Sequence, residues 1–145
     1  MQFRTSLVAA ASLFAAANAR IYGIAFPETV KAGDQVNAIV ETENYIQSVQ
    51  DIAIAFGIAP EATAYPGTLS TVLGSFYLGP EKSNILENIT ETVTIPADLV
   101  AGKYVVAAGL YSLYGASSGP TLTNYNVTIT VSNSTSQNYV SSSRF

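Results

Sequence analysis

Apolar residues recur at every second position along much of this chain. Val36, Ala38 and Val40 alternate with Gln35, Asn37 and Glu41. Ile52, Ile54, Phe56 and Ile58 alternate with Ala53, Ala55 and Gly57. Tyr125, Val127, Ile129 and Val131 alternate with Asn124, Asn126, Thr128 and Thr130. A period of two sends neighbouring side chains to opposite faces of a strand. No segment beyond residue 19 carries the 3.6-residue period of an amphipathic helix. Strands are expected at about 21–26, 35–43, 50–58, 73–78, 86–95, 103–111 and 122–131. Turn residues separate them: Ala32-Gly33-Asp34, Tyr65-Pro66-Gly67, Gly79-Pro80, Pro96-Ala97-Asp98 and Gly119-Pro120. Short strands with regular turn signals fit an all-β sandwich or barrel.

Leu99-Val100-Ala101-Gly102-Lys103-Tyr104 narrows the choice. A Tyr opening the sixth strand after a Leu-x-x-Gly corner is where immunoglobulin-like sandwiches place a structural tyrosine corner. The expected fold is an immunoglobulin-like β-sandwich of about seven strands, with Tyr104 as the corner. Glu91 conflicts with this pattern, because it shares the parity of Ile89, Val93 and Ile95. An unpaired buried carboxylate is costly, so that strand is expected either to lie at a sheet edge or to carry a bulge near residue 91.

The first nineteen residues read as a secretory signal peptide: Arg4, an apolar run from Leu7 to Ala17 broken only by Ser12, then Ala17-Asn18-Ala19 for cleavage. Residues 20–131 read as one sandwich domain, and the Ser/Asn/Thr-rich segment 132–145 as a disordered tail. The leader's apolar run is shorter than the roughly 20 residues that span a bilayer. No membrane span is therefore expected, and the protein is expected to be secreted and monomeric.

The chain contains no cysteine and no histidine. A fold without disulfides rests on its core and its sheet hydrogen bonds. Lack of imidazole removes the usual general base and most zinc and copper sites. Glu41 and Glu43 share a strand face, but charges there more often form a solvated surface. No catalytic residue, metal or cofactor is expected. The formal charge is −4, which excludes the basic footprint of a nucleic-acid binder.

Three N-x-S/T sequons make Asn88, Asn126 and Asn133 candidate glycan acceptors. Asn88 and Asn126 lie on the Thr-bearing, outward parity of their strands. Tyr45, Tyr65, Phe76, Tyr77, Tyr111 and Tyr114 raise a second possibility, a sugar-stacking platform of a cell-wall or carbohydrate-binding module. The missing tryptophan weakens it.

Several longer blocks carry a resemblance. They are Asn44-Tyr45-Ile46-Gln47-Ser48-Val49-Gln50-Asp51, Ser75-Phe76-Tyr77-Leu78-Gly79-Pro80, and Asn88 to Pro96. Ser112-Leu113-Tyr114-Gly115-Ala116-Ser117, Pro120-Thr121-Leu122 and Tyr125-Asn126-Val127-Thr128 complete the set. Across nearly the whole mature chain these blocks resemble the fungal necrosis-inducing secreted protein family of plant-infection effectors. The resemblance implies a non-enzymatic effector that provokes plant cell death. It also implies suppression of pattern-triggered immunity through binding of host receptor-associated kinases. Absence of disulfides suits action in a reducing host cytosol as well as outside cells. In an immunoglobulin-like order the loops 44–48 and 111–118 share one end of the sandwich. Tyr45, Gln47, Tyr111 and Tyr114 are therefore the candidate partner-binding residues, since Tyr is a favoured interface anchor.

Overall fold

The computed structural model describes residues 18–142. Within them lie nine strands: β1 Asn18–Pro27, β2 Thr29–Lys31, β3 Gln35–Tyr45, β4 Val49–Pro60, β5 Thr71–Tyr77, β6 Ile89–Thr94, β7 Gly102–Tyr114, β8 Gly119–Ser132 and β9 Tyr139–Ser141. Two single-turn 3-10 helices, Glu61–Thr63 and Pro80–Lys82, are the helical elements among these residues. The long strands fall where the alternation puts them; β2 and β9 are additional.

The strands form two sheets, ordered β6-β3-β1-β9 and β2-β8-β7-β4-β5. The N-terminal segment is split between the sheets: β1 pairs antiparallel with β3, and the chain then crosses so that β2 runs parallel to β8. This is the strand order of an immunoglobulin-like sandwich. Inward residues from both sheets close one core. Phe56 sits at its centre, edge-on to Phe26 at 5.6 Å and to Phe76 at 6.0 Å. Tyr104 is buried, and its hydroxyl donates to the Val100 carbonyl at 3.0 Å. The ring thus fills the core while the hydroxyl ties the β6–β7 corner.

Glu91 keeps its inward parity and is only 7% exposed. No register shift interrupts β6, which is an edge strand. Lys82, from the second 3-10 turn, places its Nζ 2.6 Å from the Glu91 carboxylate. A short cover bearing one cation is what makes a carboxylate tolerable at that edge.

Three expectations need correction. The tail is ordered as far as Ser142: Glu28 donates to the Asn138 carbonyl at 2.8 Å, Ser136 to Thr29 at 2.8 Å, and β9 pairs with β1. Its polar side chains are used as well, with the Thr135 hydroxyl donating to Asp34 and accepting from the Lys31 amide. The tail's low hydropathy disguised a strap held by hydrogen bonds. The domain therefore runs beyond residue 131. Second, a bulge between Asp51 and Ala53 shifts the register of β4 against β7. Asp51 takes an inward position, while Ile52 is only half-buried. Third, β7 continues through Tyr114, so the expected 111–118 loop shrinks to a turn at 115–118 and Tyr111 lies well inside the strand. The signal-peptide segment lies outside the described residues except for Asn18 and Ala19. These two open β1 by pairing with Tyr45 and Asn44.

Candidate functional site

The β3–β4 and β7–β8 turns meet at one end of the sandwich. Gly115, at φ 72°, lets the second turn reverse so that its amide donates to the Ser48 carbonyl at 2.9 Å. Ser118, at φ 50°, closes the same turn by donating to the Gly115 carbonyl at 3.1 Å. The pairing of Val49 with Tyr114 then brings the strand ends together. Tyr45 and Tyr114 meet edge to face at 5.9 Å and 89°. The Arg20 guanidinium lies 4.6 Å from the centre of the Tyr45 ring. Its Nε and one terminal nitrogen donate to Glu43 Oε1 at 3.1 and 2.9 Å. Each ring and charge is held by its neighbour, so the end is assembled before any partner arrives. Ile46 stands at its tip, 91% exposed, and Gln47 lies beside Gly115.

A polar cluster supports this end from below. Asp51, 2% exposed, accepts from the Ser112 hydroxyl at 2.6 Å. Burial pushes the Asp51 carboxyl above its ordinary range, and the Ser112 bond partly opposes that. Burial also raises Tyr114, with the nearby Asp51 charge adding to the effect. Tyr125 is raised chiefly by burial; its hydroxyl donates to the Ile21 carbonyl across the two sheets at 3.0 Å. The Glu43 hydrogen bond raises Arg20. These groups brace the turns. Among the described residues no group of three or more Asp, Glu, His or Cys is placed to hold a metal ion. No helix there is long and apolar enough to cross a membrane.

Tyr45, Gln47 and Tyr114 come together; Tyr111 does not join them. One residue along β7 reverses the face, and Tyr111 lies on the outer surface of the five-stranded sheet. There the register aligns Leu122, Tyr111, Ala53 and Tyr77 in one row across four strands. Phe76 faces the core, Tyr65 stands on the 61–70 loop, and Tyr45 with Tyr114 sits at the end. The six aromatics therefore form no single platform. Asn88, Asn126 and Asn133 are all exposed. Asn88 Oδ1 accepts from the Thr42 amide at 3.0 Å, which leaves its amide nitrogen clear of that bond. Sequence reasoning missed Ile46, Arg20 and Asp51. The signal for Ile46 is an aliphatic residue among polar turn neighbours, whereas nothing local in the sequence signals the contacts of Arg20 or Asp51.

Comparison with known proteins adds independent information. A family model described as the Nis1 family matches residues 17–130. The necrosis-inducing secreted protein 1 of Colletotrichum higginsianum is 77% identical over 144 residues, covering 99% of this chain and 100% of that protein. The necrosis-inducing secreted protein 1 of Colletotrichum orbiculare is 72% identical over 142 residues, covering 98% and 88% respectively. Among solved structures, a superoxide reductase (neelaredoxin) from Ignicoccus hospitalis superposes with a TM-score of 0.46 at 16% identity, over 79% of this chain and 80% of that one.

Proposed function

The chain belongs to the Nis1 family, and from that membership we propose that it is a fungal effector that induces plant cell death and acts by binding, without chemistry of its own. The protein is secreted, as its relatives are named. Its targets in this reading are host receptor-associated kinases, and the outcome of binding is suppression of pattern-triggered immunity. The end formed by Tyr45, Ile46, Gln47 and Tyr114 is the contact surface. The carrying observation is Ile46, a large aliphatic side chain 91% exposed on a turn whose neighbours are already packed. A rigid apolar tip loses little entropy on docking, which favours its use as an anchor.

The test is a titration of purified receptor-associated kinase domains with the secreted protein, paired with the oxidative burst of leaf tissue expressing it. Binding and a reduced burst are expected. Ile46→Asp, and separately the double change Tyr45→Ala with Tyr114→Ala, are expected to weaken binding by about 2 kcal/mol or more, roughly 30-fold. Ile46→Asp touches no core residue, so its circular dichroism spectrum stays that of the parent. Absence of both binding and burst suppression rejects the reading. Full binding by Ile46→Asp rejects the surface and retains the partner.

A further inference from the structure

On the far side of the five-stranded sheet from the core, the 61–70 loop folds back over the strands. Gly57 makes this possible. A Cβ there would meet the Leu69 carbonyl at 1.9 Å, so only glycine lets the loop lie so close. Between loop and sheet a cleft of about 330 Å3 remains, within the roughly 300–1,000 Å3 of small-molecule sites. Its floor is low because β4 and β7 present small residues, Ala59 and Ala107 among them. Tyr65, 73% exposed, forms part of its wall. The amides of Asn124 and Asn126 line the β8 side. Asn126 is also the acceptor of the sequon Asn126-Val127-Thr128, with Thr128 exposed two positions on.

We propose that Asn126 carries an N-linked glycan whose first N-acetylglucosamine is seated in this cleft, against the Tyr65 ring. The inference rests on the protein being secreted, since the donor, an oligosaccharide on a polyprenyl pyrophosphate, belongs to the secretory pathway. The Asn126 amide nitrogen forms a bond to C1 of the sugar, the bond from C1 to the pyrophosphate oxygen breaks, the amide gives up one proton, and the lipid pyrophosphate leaves. A pyranose so attached begins inside the cleft. Its C–H face matches an aromatic ring, and its acetamido and hydroxyl groups match the Asn124 amide. An exposed Tyr beside a floor of small residues is apolar surface left uncovered by protein. The attached sugar covers it and pins the loop.

The experiment uses the full chain secreted from a eukaryotic host, with Asn88→Gln and Asn133→Gln so that one acceptor remains. Intact mass reports occupancy. Hydrogen exchange of the amides in 61–70 is compared between the full glycan, the same protein trimmed to a single N-acetylglucosamine, and Asn126→Gln. Exchange about tenfold slower with the full glycan than in Asn126→Gln is expected, and protection survives trimming to one sugar. Tyr65→Ser abolishes the difference, and combined with Asn126→Gln adds nothing further. Secreted protein without a glycan at Asn126 overturns the proposal and leaves secretion intact. Equal exchange in all three forms, or protection lost on trimming to one sugar, overturns the seat.

Discussion

The end of the sandwich and the outer face of its five-stranded sheet both carry exposed aromatic and aliphatic side chains, but they hold them differently. At the end, Tyr45, Tyr114, Arg20 and Glu43 are engaged with one another, and a single aliphatic residue projects from a finished scaffold. On the outer face, Leu122, Tyr111 and Tyr77 line up by strand register alone, at 67%, 43% and 73% exposure. The 61–70 loop rests beside them on a glycine. Exposure by itself therefore does not mark a binding surface. A preorganised apolar tip and a loosely covered sheet face offer a partner different things: the first a fixed shape, the second area that something else must cover.

Gly57→Ala breaks the comparison at its weakest joint and has the largest expected effect on stability. The new methyl group meets backbone rather than a flexible side chain, so the loop must move. Overpacking of this kind costs about 1–3 kcal/mol. Chemical denaturation should show that loss, and proteolysis should increase within 61–70. The kinase binding proposed for the opposite end should stay unchanged. Unchanged loop protection would mean that the sheet face does not depend on the Gly57 contact.

Much of this arrangement was legible in the chain before the structure. Alternation located the long strands, because a face buried in the core demands apolar residues at every second position. The Leu99 to Tyr104 corner was legible because its glycine and tyrosine have specific jobs. What escaped had a common cause. The Asp51 bulge, the extension of β7 to Tyr114 and the β9 strap all depend on backbone hydrogen bonds to distant strands, which leave no local hydropathy signal. The bulge in particular puts a carboxylate where the alternation predicts Ile52. Tyr111 and Tyr114 stood in one expected loop, but alternation along the uninterrupted β7, three residues apart, sends them to different surfaces. The glycan acceptors were legible as motifs, but only the folded sheet and its 61–70 loop bring Asn126 and Tyr65 to one cleft.

Asp51 offers a second way to sharpen the comparison, through pH. Burial raises its carboxyl above the ordinary value of 3.8. The folded protein then holds the proton more tightly than the unfolded chain. Its stability falls as pH rises from about 3.8 through the folded value, and the cost is fully present above that. Asp51→Asn keeps an acceptor for Ser112 and removes the ionisation. Its stability minus that of the parent should grow with pH across this window and level off at neutral pH, as measured by denaturant midpoints in a pH series. A constant difference would show that Asp51 ionises as freely folded as unfolded. The outer face carries no buried carboxyl of this kind on its Leu122–Tyr111–Ala53–Tyr77 row, so changes there should leave the pH profile alone.

The smallest expected effect is on that row. Leu122 projects from β8 next to Tyr111, two-thirds exposed. Replacing it with serine removes apolar surface that folding has barely buried, so stability should stay within about 0.5 kcal/mol of the parent. Its consequence should be in surface behaviour. An exposed row of Leu and Tyr across a sheet invites adhesion, and Leu122→Ser should reduce binding of a hydrophobic fluorescent dye and retention on a hydrophobic-interaction column. Kinase affinity, attributed to the end, should be unaffected, whereas Ile46→Asp should weaken it with an equally small change in stability. This pair of surface changes, matched in their effect on folding and different in their effect on binding, separates the two regions directly. If Leu122→Ser weakens the partner and Ile46→Asp does not, the outer face is the docking surface, and the packed tyrosines of the end serve only to join the turns.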